Sequence, residues 1–154
     1  MAFDPVALEP DPDLASRIGW LDGYLCNVDR TARNTNRLTW HGRIWLIDRG
    51  AALYFHHGDA SFAERAGDPF PLIRDHVLLP FATRIEAVAE ELTETLTPDL
   101  IEGILAQVPD SWLRHPAYPD ATGTRAAYVD LLIRRLARPQ AFVQEALDAV
   151  PALV

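Results

Sequence analysis

A mainly α-helical protein with one small β-hairpin is what this sequence predicts, and three observations carry the prediction. Apolar residues recur at helical spacing along most of the chain. Asp, Thr and Pro stand in front of those periodic runs, where helices begin. Only residues 38–47 read as two short apolar runs around a tight turn. The chain has 154 residues, and at roughly 150 residues per domain it reads as a single domain, 1–154.

The first dozen residues are rich in Pro and Asp and read as an irregular lead-in. Asp11-Pro12 then opens a helix over about residues 12–27, with Leu14, Ile18, Leu21 and Leu25 on one face. The polar, aperiodic stretch Asn27–Asn36 is a loop. Leu38-Thr39-Trp40 and Ile44-Trp45-Leu46-Ile47 bracket His41-Gly42-Arg43 as a hairpin. A loop or short helix follows from Asp48 to Asp68. The remainder is expected to be helical. Phe70–Phe81 is an apolar run broken by Pro80, and Thr83–Leu96 is amphipathic. Thr97-Pro98 starts a helix that closes before Pro109, and Asp110–Leu113 makes one turn. After a loop at Pro116–Gly123, Thr124–Ala137 carries a Tyr128/Leu131/Leu132/Arg135 face, and Pro139–Val150 closes the chain.

Composition removes several classes. With 49% hydrophobic and 23% charged residues, the chain is neither disordered nor collagen-like. A single cysteine, Cys26, permits no internal disulfide, and with no basic leader at the N-terminus a cytoplasmic protein is expected. No apolar stretch is long enough for a membrane span. The net charge of −8 argues against nonspecific nucleic-acid binding, which needs cations to displace counterions from phosphates. All 14 basic residues are arginine. Lysine-dependent chemistry, such as Schiff bases and the phosphate-binding lysines of nucleotide enzymes, therefore has no candidate residue here.

The densest polar cluster reads Asn27-Val28-Asp29-Arg30-Thr31-Ala32-Arg33-Asn34-Thr35-Asn36, and the hairpin after it delivers Ile47-Asp48-Arg49-Gly50. An Asp, an Asn five residues on, a hairpin and then Asp-x-Gly is the order of the protein-kinase catalytic loop and metal-binding turn. In that chemistry the loop Asp accepts the substrate hydroxyl proton, and the Asn and the second Asp give magnesium its hard oxygen ligands. Asp29-x₄-Asn34 alone is a weak pattern; the hairpin and the Asp-x-Gly at its end make it more specific. Residues 20–57 resemble the C-terminal lobe of HipA-like kinases, and more closely the compact actinobacterial-type HipA-like domain. The resemblance extends to Pro71-Leu72-Ile73-Arg74-Asp75-His76-Val77-Leu78-Leu79-Pro80. It implies a protein-kinase-like C-lobe acting on protein Ser/Thr hydroxyls. Asp29 would be the catalytic base, and Asn34 and Asp48 the magnesium ligands that also hold ATP.

Two features depart from the family. The 28 residues before Asp29 cannot build a multi-stranded N-terminal lobe when about 16 of them are helix, and the ATP-holding lysine is absent. Arg49 also stands where relatives often carry His. The expected product is thus a truncated kinase lobe, inactive by itself, with Mg²⁺ and ATP bound weakly. The alternative is a non-catalytic kinase-derived binding or interaction module. A protein substrate or a separate N-lobe chain would be the partner, and the hairpin face of Leu38, Trp40 and Trp45 is expected to be left bare and to self-associate.

Other readings stand beside these. Asp29, Asn34 and Asp48 also suit caps and turns. Arg30 and Arg33 could meet phosphate or pair with Asp29 or Asp22. His56-His57, read as a strand, would point to opposite sides and not share a metal. His76 and His115 read as ordinary residues, Cys26 as a small buried one, and Trp20, Trp40 and Trp45 as core rather than a base-stacking platform.

Overall fold

The computed structural model describes residues 9–34, 36–41, 43–58 and 60–150. The start of the lead-in, residues 1–8, and Gly42 of the hairpin turn lie outside them. Helix α1 (Pro12–Tyr24) begins as the sequence dictates: the Asp11 side chain accepts from Leu14 N, and Pro12 occupies the first helical position, where no N–H is needed. It ends at Tyr24, three residues before the expected boundary, because Cys26 turns the chain through a left-handed conformation (φ 49°).

Strands β1 (Arg37–Trp40) and β2 (Arg43–Leu46) form an antiparallel two-stranded sheet, pairing Leu38 with Trp45 and Trp40 with Arg43. Three short 3₁₀ turns follow, at Tyr54–His57, Ala63–Gly67 and Pro71–Asp75. Helices α2 (Ile85–Thr95), α3 (Pro98–Ala106), α4 (Ala121–Leu136) and α5 (Gln140–Ala149) complete the chain. Thr97 and Asp120 cap α3 and α4 through side-chain bonds to Leu100 N and Gly123 N. The protein is therefore mainly helical with one small hairpin. Among the described residues no helix is long and apolar enough to cross a membrane.

Two local expectations are corrected. Phe70–Phe81 is not a helix but two 3₁₀ turns. Pro80 has no N–H to donate inside the run, and Val77 N bonds to Arg30 O instead of to its own segment. His56 and His57 lie on a 3₁₀ turn rather than a strand.

The core is aromatic at the α1–α5 contact. Trp20 stacks on Tyr24 at 5.2 Å and meets the Phe142 edge at 5.5 Å. A Cβ on Gly23 would come within 3.1 Å of the Phe142 ring, so a larger residue there would have to push the ring back by a few tenths of an ångström. Leu78, Leu79, Ile85, Val88 and Leu131 belong to the same buried core. Helix α4 is tied to the end of α1 by two side chains. Tyr24 donates its hydroxyl to Leu132 O. Buried Arg135 donates to Gly23 O, Tyr24 O, Ala66 O and Asp68 O, with its guanidinium 4.8 Å from the Phe142 ring centre. The last carbonyls of a helix have no partner of their own, and Arg135 supplies one. The point where α1 hands over to the polar loop is thereby fixed.

Candidate functional site

The loop after α1 is held from below by one buried carboxylate. Asp22, on the last turn of α1, accepts Asn27 Nδ2 on Oδ1 at 2.9 Å. Its Oδ2 lies 2.6 Å from Arg30 Nε and 3.0 Å from His76 Nε2. All four side chains are buried. His76 Nδ1 accepts from Leu78 N, so the ring is a neutral tautomer donating from Nε2. Burial pushes the His76 imidazole below its ordinary range against the pull of Asp22. Burial would raise the Asp22 carboxyl, but the bonds from His76 and Asn27 and the charge of Arg30 hold it below the carboxylate range.

This anchor sets the next residues. Asn27 Oδ1 accepts Asp29 N at 3.3 Å, and Arg30 Nη1 donates to Asn36 O at 2.7 Å. Arg30 O receives Val77 N, and Thr31 bridges His76. Between these fixed points Asp29 is half-buried, with its carboxylate facing two amides. Asn34 Nδ2 donates to both Asp29 oxygens, at 2.9 and 2.8 Å. Asn36 Nδ2 donates to Oδ2 at 2.9 Å and to the Asp29 carbonyl at 2.7 Å.

Asn36 also joins the loop to the hairpin: its carbonyl accepts from Arg30 and from Ile47 N, at 3.0 Å. Asp48 is the next residue. It has a left-handed backbone (φ 46°), is exposed, and its Oδ1 accepts Gly50 N at 3.2 Å. An exposed Asp in this conformation closing an Asx turn onto a glycine is a turn that β-branched residues would not form.

Of the three residues singled out from sequence, two are joined by hydrogen bonds; the Asp48 carboxylate bonds within its own turn, to Gly50 N. Asp29 and Asn34 touch directly, and Asp48 follows the residue bonded to Asn36. Asn36 itself was missed. Its only signal was a second Asn two residues after the first, which in a polar loop is unremarkable. Arg30 pairs with Asp22, the structural option of the two weighed; Arg33 is exposed with no described ion pair. Trp20 is core, whereas Trp40 and Trp45 are not: they are 61% and 47% exposed, because both fall on the outer face of a two-stranded sheet with no second layer. Cys26 is buried and its thiol is pushed up by desolvation, as expected of a packing residue. His56 bonds to Tyr128 Oη and stacks on its ring, with the tilted His115 ring 5.4 Å away.

The donors suited to a hard cation are the Asn34 carbonyl oxygen, its amide nitrogen being committed to Asp29, and the Asp48 carboxylate. Both are hard oxygens of the kind magnesium takes; the hydrogen bonds of the described residues hold the first to Asp29 and the second to its own turn, and do not join the two. Among the described residues no group of three or more His, Cys, Asp or Glu is placed to hold a metal ion alone. Compared with known proteins, the chain matches no family model, no curated protein and no solved structure.

Proposed function

We propose that the chain is the C-terminal lobe of a HipA-like serine/threonine kinase. Asp29 takes the proton of an attacking protein hydroxyl, and Asn34 and Asp48 hold Mg²⁺ and, through it, ATP. The observation that supports this most is the Asp29–Asn34–Asn36 bond set, tied through Asn36 O to the strand that delivers Asp48. A general base must be aimed before it is useful, and the two amides together with the Asp22 anchor aim this one. Bound magnesium would neutralise phosphate charge. The chain's own residues supply only the lower half of such a site.

The 154 residues contain no lysine to hold the triphosphate. Phosphoryl transfer depends on positioning and charge neutralisation. The chain alone therefore binds magnesium nucleotide weakly and does not turn over; a lysine-bearing lobe from elsewhere would complete it. The missing lysine equally favours the second reading, a kinase-derived binding module with no reaction of its own.

Thermal unfolding with Mg²⁺ and ATP tests the proposal. At tenfold excess over Kd, binding adds about 1.4 kcal/mol and raises Tm by roughly 3–6 °C. Asp48→Asn should leave the fold intact and remove that rise, and Asp29→Asn should keep it. No rise in the wild type, or an undiminished rise in Asp48→Asn, rejects the kinase reading. Asp29-dependent phosphorylation by the isolated chain would reject the inactive half-site.

A further inference from the structure

Charge is segregated along this chain. Residues 29–49 hold five arginines and two aspartates, a net +3 within a protein of −8. Arg30 and Arg37 are buried, while Arg33, Arg43 and Arg49 are exposed. The same segment carries the largest exposed apolar surface of the hairpin. Side chains alternate across a strand, so Leu38, Trp40, Arg43 and Trp45 share one face of β1–β2, opposite the half-buried Thr39, Ile44 and Leu46. Ile47 follows on, and it too is exposed. Trp40 and Trp45 lie 5.7 Å apart, side by side on that face. An exposed aromatic ladder with flanking cations marks an interaction surface rather than a solvated one.

The complementary surface is on the same molecule. A groove of about 450 Å³ runs between α2 and α5. Glu86, Glu90 and Glu94, at i, i+4 and i+8 on α2, form one lip, and Ala89, Val143 and Leu147 contribute apolar floor. None of these three glutamates is in an ion pair among the described residues, and no basic residue lines the groove. The hairpin face and the groove do not cover each other within one chain, since the tryptophans and the three glutamates are all exposed.

We propose that the β1–β2 hairpin of one copy docks in the α2–α5 groove of a second copy. The Trp40–Trp45 ladder would lie on the apolar floor, and Arg43 and Arg49 against Glu86, Glu90 and Glu94. The surfaces are different patches, so the contact is heterologous and builds a ring or an open chain of copies. Two four-residue strands offer less than the roughly 800 Å² per partner of a standard stable interface. The association is therefore weak, concentration-dependent and salt-sensitive.

Sedimentation velocity on the intact chain over rising concentration tests this, with circular dichroism confirming that each variant is folded. The wild type should show reversible association that weakens as salt rises from about 0.05 to about 0.5 M. Trp40→Ser with Trp45→Ser should weaken it at least about tenfold, and so should either charge reversal, Arg43→Glu with Arg49→Glu or Glu90→Arg with Glu94→Arg. Mixing the two charge-reversed proteins, each monomeric alone, should restore association, because each reversed surface then meets its opposite. A wild type that stays monomeric, association that survives loss of the tryptophans, or a mixture that stays monomeric overturns the proposal. A folded tryptophan variant that self-associates more strongly than wild type would do the same.

Discussion

The segment from Cys26 to Leu53 and the helical body from Ile85 to Ala149 are held by different means. In the helical body no described non-glycine residue has a left-handed backbone, side chains cap α3 and α4, and buried apolar side chains supply the cohesion. In the loop and hairpin five non-glycine residues, Cys26, Asn36, His41, Asp48 and Leu53, have left-handed backbones. Each costs roughly 1–2 kcal/mol. What offsets this is polar: the buried Asp22 carboxylate with its two donors and the Arg30 charge beside it, the amides on Asp29, and the junction at Asn36 O. Strain held in place by a surrounding network is how functional loops are kept in shape. The same residues placed in the helical half would only weaken it.

The largest expected effect separates the two regions directly. Asp22→Ala leaves the Arg30 guanidinium buried without its charge partner and should cost about 3–5 kcal/mol in chemical denaturation. Amide exchange should accelerate first across residues 26–53. By contrast, Asp13→Ala, which breaks only the surface pairs with Arg17 and Arg84, should be scarcely measurable. A loss below about 1 kcal/mol for Asp22→Ala would mean that packing, not the carboxylate, holds the loop.

An intermediate effect comes from acid. The folded-state affinity of His76 for a proton is lowered, so between about pH 6.5 and the lower folded value only the unfolded chain takes the proton up. Stability should therefore fall as pH drops below about 6.5. Asp22, also lowered, keeps its contribution until pH falls below about 4. His56, lowered by burial and by His115 and His57, acts in the same window as His76. His76→Gln keeps a donor toward Asp22 and should flatten the slope of Tm against pH above 5 without abolishing it. An unchanged slope would exclude His76 from the anchor's energetics.

The smallest effect sharpens the strain side. His41 holds φ 49° in the two-residue hairpin turn, and Asn before Gly is the preferred pair for such a turn. His41→Asn should stabilise the chain by up to about 1 kcal/mol, read as a small rise in Tm. A fall would show that the Trp40–His41 ring contact at 4.5 Å outweighs the backbone strain.

Much of this was legible where the deciding forces are local. Asp11, Thr97 and their prolines announced helix starts because caps act over three residues. The hairpin was readable from its own turn and its own apolar runs. What escaped depends on contacts across the chain. Arg135 could be placed on the apolar face of α4, but nothing local says that it caps α1. The Phe70–Phe81 run looked helical because its partner, the Arg30 carbonyl, lies more than forty residues away. Trp40 and Trp45 were read as core from their composition, yet a two-stranded sheet with one covered face leaves every second residue outside. At the candidate site the residue types and spacing singled out Asp29, Asn34 and Asp48; the amide of Asn36 needed the folded loop.

The Arg135 clasp also has a consequence in time. Its bonds to Gly23 and Tyr24 span 112 and 111 residues, and the Tyr24–Leu132 bond spans 108. At a synthesis rate of about 5–20 residues per second, α1 and the hairpin wait roughly 5–20 s for the helix that locks them. A hairpin closes in microseconds, so the ladder of tryptophans forms long before its foundation is secured. A ribosome-bound chain of this protein therefore carries the residues of its most apolar exposed surface for seconds before the Arg135 clasp can be made. During that interval, aggregation is a matter of translation speed as much as of thermodynamic stability.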